Sequence, residues 1–312
     1  MEKSSSEITI LIDHLNSLHE GGSAVDRLVE CGEKAVAPLA EYLMKGQPSH
    51  IYQPRQRAVT VLARLGAKNV LIEYLRKQKE ISDPVFRFGE EAVENTAARA
   101  LAKWQTEDVF AVLLRIAKSR TLPGVIEALG TFRRPETIPL FIAALTDDVS
   151  RAAAENALRS MGEAIKPALI EAAGRSEDPG DCKTASALLR RRSAVRILAD
   201  LPPDADEWPA LRDLLQEADA EIAVVAACIA LKIAPPEDKK AAIETLIETI
   251  PHASWYVQVN IENCLLKHFG IAKTRIATEI AQRQTQEERV QASDRVLRIL
   301  LNARRRAAFP PQ

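Results

Sequence analysis

Residues 135–174 read PETIPLFIAALTDDVSRAAAENALRSMGEAIKPALIEAAG, and this stretch limits the possible folds more than any other. Pro135-Glu136-Thr137 opens a helix, because proline's missing N–H is no loss in a first turn. Ile138, Phe141, Ile142 and Leu145 then form an apolar stripe of helical period. Pro139 falls early enough in that helix to be tolerated. Thr146-Asp147-Asp148 ends the first helix, and Asp147 or Asp148 caps the second. Val149, Ala153, Ala157 and Met161 follow at intervals of four, with alanines small enough for close helix approach. Gly162 supplies the residue that closes a helix. The stretch from Ala164 to Ile170 then repeats the opening. One such hairpin cannot bury both its faces, so it must stack on copies of itself.

The unit can be followed along most of the chain. The expected helix pairs are 33–45 with 54–65, 68–78 with 89–104, 106–118 with 122–130, the anchor pair, 163–174 with 181–200, 204–217 with 219–233, 236–250 with 254–269, and 272–283 with 285–306. Residues 1–32 read as a cap. Ser6 starts a helix carrying Ile8, Leu11, Ile12, Leu15 and Leu18, Gly21-Gly22 breaks it, and Ser23 starts a short second helix. Residues 285–312 read as a closing helix and a frayed tail.

The pattern resembles the HEAT repeat, in particular the short bacterial HEAT-like repeats of the phycobilisome lyase family. The resemblance rests on the early prolines Pro38, Pro139, Pro167 and Pro209, the aspartates Asp147, Asp148 and Asp219, and the second-helix runs AVTVLARLG and AAAENALRSMG. It implies an all-α fold, a right-handed α-solenoid of about eight to nine HEAT-like helix pairs forming one domain. It also implies a long concave surface for a partner segment. The repeat serves many unrelated roles, so it does not by itself specify an activity.

Composition fits that reading. Aromatic residues make up 4% of the chain, so the core is built from Ala, Leu, Ile and Val. The 42 basic and 43 acidic residues give a formal net charge of −1, which provides no global attraction to nucleic acid or anionic membrane. No apolar run approaches the roughly 18 residues that a bilayer span requires. The opening MEKSSSEITILIDHL lacks the pattern of a secretory signal, and Cys31, Cys182, Cys228 and Cys264 are too dispersed for a metal site. A cytoplasmic protein with free thiols is expected.

Catalytic patterns are missing. His14, His19, His50, His252 and His268 include no pair at the spacing of a zinc-protease helix. His19-Glu20 is a lone pair, whereas the HEAT-like deoxyhypusine hydroxylases hold iron with several. No metal or other cofactor is expected. The HEAT-like alkylpurine DNA glycosylases use tryptophans and basic residues in a groove, but Trp104, Trp208 and Trp255 are scattered here.

Two sets of residues stand out as candidate partner-binding sites. The irregular turns 46–53 and 79–88 belong to neighbouring repeats and should emerge on one edge, bringing together His50, Tyr52, Arg55, Phe86, Arg87 and Phe88. The alternative is that these aromatics fold back to plug the turns. Turn 175–181 is a third irregularity on the same edge. Arg190, Arg191 and Arg192 crowd the long helix of the fifth repeat, as either a solvated face with acidic neighbours or a positive strip in the groove. The leading expectation is a non-enzymatic module for another protein. A nucleic-acid-binding or glycosylase-like protein and a chromophore-lyase accessory are the alternatives.

Overall fold

The computed structural model describes residues 5–46, 50–77, 80–174, 184–284 and 294–308. Among these every regular element is a helix. The chain divides into two compact units, residues 1–161 and 162–312.

The first unit contains α1 (Ser5–His14), α2 (Gly21–Glu30), α3 (Val36–Lys45), α4 (Gln53–Arg64), α5 (Lys68–Arg76), α6 (Pro84–Leu101), α7 (Glu107–Ser119), α8 (Pro123–Gly130), α9 (Ile138–Ala144) and α10 (Arg151–Ser160). Consecutive helices pair as hairpins. The second helices form one layer, α2 on α4 on α6 on α8 on α10, and α1, α3, α5 and α7 follow one another in the other. This is solenoid stacking, and it buries Leu39, Leu62, Leu71, Val93, Leu113, Val125, Phe141 and Leu158 between the layers. Small residues set the spacing. A Cβ on Gly130 of α8 would lie 2.8 Å from the Ala157 Cβ of α10.

The second unit contains α11 (Lys166–Ala173), α12 (Ala185–Asp200), α13 (Ala220–Ile233), α14 (Pro236–Thr249), α15 (Trp255–Lys267), α16 (Phe269–Gln284) and α17 (Arg295–Ala308). Here α12 packs on α13, α13 on α15 and α15 on α17, with α11, α14 and α16 completing hairpins. Ile197, Ala227, Leu246, Ile261 and Leu300 are buried in its core. No described helix in either unit is long and apolar enough to cross a membrane.

The anchor hairpin forms as its sequence dictates. The Asp147 carboxylate accepts the Ser150 N–H at 2.9 Å, and Gly162 takes φ +64°, a left-handed value that suits glycine. Several details differ from the sequence reading. Val149 precedes α10 and is exposed; the N-cap of α10 is Ser150 and not Asp147 or Asp148, and Asp147 instead holds the turn before it. α6 begins at Pro84, not near 89, because Asp83 caps it by accepting the Val85 and Phe86 N–H groups at 2.8 and 3.1 Å. Gly21 and Gly22 open α2 instead of breaking a helix, α1 ends at His14, and Leu18 is exposed. Ser6 lies within α1, and Ser23 within α2. The first helix of the sixth repeat is two 3-10 segments, Trp208–Ala210 and Arg212–Gln216. Turn residues 47–49, 78–79 and 175–181, Cys182, and the expected start of the last helix at 285 lie outside the described residues.

Candidate interaction edge

Three helices build the edge where the two irregular turns were expected to meet. Pro54 and Pro84 sit in the first turns of α4 and α6, which fixes where each helix begins. α6 packs against both α4 and α5. Tyr52 immediately precedes α4, and its ring meets that of Phe88 edge-on, centroids 6.0 Å apart and planes at 78°. Phe86, Arg87 and Phe88 therefore belong to the exposed opening of a helix and not to an inter-helix turn. Ile51, Val85, Phe86 and Phe88 keep 58%, 57%, 41% and 64% of their surface exposed. His50 is exposed just ahead of them, and Arg87 is exposed with no ion pair among the described residues.

Beneath this apolar rim lies a charged floor. α6 carries Glu90, Glu94, Ala97 and Leu101 on one buried stripe of helical spacing. Two carboxylates thus occupy positions where the rest of the stripe is apolar. Glu90 receives Arg55 of α4 through two hydrogen bonds, Nη1 to Oε2 at 2.5 Å and Nη2 to Oε1 at 3.0 Å. The Tyr74 hydroxyl of α5 donates to Glu90 Oε1 at 2.7 Å, and Arg55 also donates to the Leu43 carbonyl at 3.2 Å. One turn along, Glu94 receives Arg120 from the end of α7 at 2.9 Å. Burial opposes the Arg55 charge, but Glu90 and Tyr74 outweigh it and hold its pKa above the ordinary value. Burial pushes the Glu94 carboxyl up, and Arg120 only partly offsets this. Burial also pushes the Tyr74 hydroxyl up.

A cleft of about 510 Å³ opens over this floor, lined by Glu80, Ile81, Ser82, Arg87, Glu90, Glu91 and Arg120. Arg55 itself is 5% exposed and belongs to the floor and not to the rim. Arg55 is therefore not one of the surface groups expected on this edge, since a guanidinium at that depth is held by internal partners.

The arginine run of the fifth repeat has a different setting. Arg191 is 1% exposed; it pairs with Glu217 and donates to the Ala173 carbonyl at 3.1 Å. Arg192 is half-buried and pairs with Asp219 at 2.6 Å, and Arg196 lies 3.6 Å from Glu221. Arg190 is half-buried on the same helix. The sequence EADAE at 217–221, leading into α13, neutralises the run. Trp208 is buried, and its indole N–H donates to Asp238 at 2.8 Å. Trp255, by contrast, is exposed at the start of α15.

The rim aromatics stand out in the sequence, whereas Tyr74, Glu90, Glu94 and Arg120 do not. The signal was present, since Glu90 and Glu94 interrupt an apolar stripe at a spacing of four. Among the described residues no cluster of three or more His, Cys, Asp or Glu side chains could hold a metal ion.

No curated protein matches the chain. Residues 87–162 match the family model of HEAT repeats, so the stretch from α6 through α10 carries HEAT repeats.

Proposed function

We propose that the chain is a non-enzymatic protein-binding module whose partner docks on the rim formed by Ile51, Tyr52, Val85, Phe86 and Phe88. The observation that carries this reading is the exposure of Ile51, Val85, Phe86 and Phe88 at the adjoining starts of α4 and α6, over a floor already fixed by its own ion pairs. Contiguous exposed apolar patches rimmed by polar residues are a mark of protein–protein interaction sites. The partner is a protein segment that brings apolar anchors to Phe86 and Phe88 and a carboxylate to Arg87. Burying each phenylalanine would contribute about 1.5–3 kcal/mol. HEAT repeats commonly serve protein–protein interaction, which supports the same class of role. On this reading the protein is cytoplasmic and its repeats are of the short bacterial lyase type.

Nucleic-acid binding draws less support. Arg191, Arg192 and Arg196 face Glu217, Asp219 and Glu221, so that helix offers no unpaired basic strip. The test is selection of displayed peptides on the whole chain and on the Phe86→Ala/Phe88→Ala variant. Peptides with aromatic or aliphatic anchors should be enriched on the wild type and lost on the variant. Equal enrichment on both would remove the rim from consideration.

A further inference from the structure

The second unit contains a groove of about 890 Å³ between the second 3-10 segment of the sixth repeat, the start of α13 and one face of α14. The Thr245 hydroxyl of α14 donates to the Leu215 carbonyl at 3.2 Å and ties two of its walls together. Ala241, Thr245, Glu248 and His252 follow at helical spacing, so they share the face that lines it. The lining carries five carboxylates, Asp213, Glu217, Asp238, Glu244 and Glu248, and one guanidinium, Arg212. Arg212 pairs with Asp238 at 2.7 Å. Arg191 pairs with Glu217, and Arg275 with Glu244 at 2.8 Å, both from outside the lining. Asp213 and Glu248 are exposed and have no ion pair among the described residues. Glu248 also lies one turn from Glu244, a spacing at which like charges repel. Just past His252, Trp255 and Tyr256 are exposed at the start of α15. Three residues of chain, about 11 Å at full extension, take His252 to Trp255. An exposed indole attracts ammonium and guanidinium groups over its face. It is a mark of a cationic ligand that does not depend on the carboxylates.

We propose that this groove is a second docking surface, and that its occupant is a protein segment rich in lysine or arginine. Charge complementarity selects that occupant. Cations of the segment meet Asp213 and Glu248, the two carboxylates that no internal cation answers. A further cation, at the end of the segment near His252, stacks on Trp255. Nucleic acid carries the charge of the lining itself and is repelled by it. The surface lies wholly within residues 212–256 and is independent of the rim on α4 and α6. The two surfaces also differ in chemistry, since the rim takes apolar anchors and the groove takes positive charge.

The experiment titrates the whole chain with fluorescein-labelled octalysine, read by anisotropy across a series of salt concentrations. Hydrogen exchange then maps the saturated complex. Octalysine should bind saturably, more weakly as salt rises, and should protect residues 212–217 and 241–252. Asp213→Asn/Glu248→Gln changes two exposed side chains, and should weaken binding about tenfold or more while the chain stays folded. Trp255→Ala should weaken it about threefold. Phe86→Ala/Phe88→Ala should bind octalysine as the wild type does. Absence of saturable binding would overturn the proposal. So would unchanged affinity in Asp213→Asn/Glu248→Gln, or protection centred on another acidic surface. Spermine binding as tightly as octalysine would assign the groove to small polyamines, and would overturn it too.

Discussion

Arg55 and Glu90 close a two-pronged ion pair, 2.5 and 3.0 Å, between the opening of α4 and the second turn of α6. Both side chains are buried. The pair joins neighbouring repeats directly under the exposed aromatic rim. It therefore fixes the angle at which Phe86 and Phe88 are presented.

A buried pair of this kind is costly to break from one side. Arg55→Ala leaves the Glu90 carboxylate buried without its guanidinium partner, and should lower stability by about 3–5 kcal/mol. Replacing both partners, Arg55→Met with Glu90→Leu, should cost much less, because no charge is left uncompensated. Thermal melts of the two variants against the wild type check this. Equal losses would show that the pair itself, and not the stranded carboxylate, sets the cost.

Close helix approach makes Gly124 a second sensitive position. A Cβ there would lie 2.4 Å from the Asn95 carbonyl oxygen and 2.7 Å from its Cα, both backbone atoms of α6. Backbone cannot turn aside as a side chain can, so α6 and α8 must separate. Gly124→Ala should destabilise by about 1–3 kcal/mol. An unchanged denaturant midpoint would contradict this.

Two carboxylates should respond to pH in opposite directions. Burial raises the Glu94 pKa above 4.5 despite Arg120. The folded state therefore holds the Glu94 proton more tightly than the unfolded state does. Its contribution is present at low pH and is lost as pH rises through the raised value. The melting temperature of Glu94→Gln relative to wild type should thus improve from about pH 4 to about pH 8, once the partly exposed Arg120 pairing is allowed for. Asp219 behaves in the reverse sense. Burial works to raise it, but Arg192 and the Ile222 N–H outweigh burial and hold it below its usual 3.8. Its contribution is present above that value and is lost as pH falls through the lowered one. The stability deficit of Asp219→Asn should therefore shrink in acid. A deficit that grows in acid would reverse the assignment.

The repeat was legible in the sequence because alternating helices with small residues, prolines and capping aspartates each leave a local mark. Gly162 takes the left-handed backbone that its residue type suits. The start of α6 was misread because KEISDPVFRF contains a proline and two aromatics that look like turn residues, while Asp83-Pro84 is a cap and a first turn. The 3-10 segments after Trp208 were hidden for a different reason. Their apolar spacing suits either helix type, and the buried indole with its Asp238 bond holds the tighter form. The ion-pair floor was hidden because its members come from four helices, and only packing shows that Arg55, Tyr74, Glu90 and Arg120 converge. The arginine run was conspicuous in the sequence, but its partners Glu217 and Asp219 lie a helix away.

A protein partner seated on the α4–α6 rim would shield that rim from solvent. The measurement is hydrogen exchange on the chain alone and on the chain saturated with a peptide selected on it by display. Protection should be confined to residues 50–53 and 84–91, and Phe86→Ala/Phe88→Ala should lose about tenfold or more in affinity while the variant remains folded. Protection centred on α12 or another face, with the rim exchanging as freely as before, would contradict it.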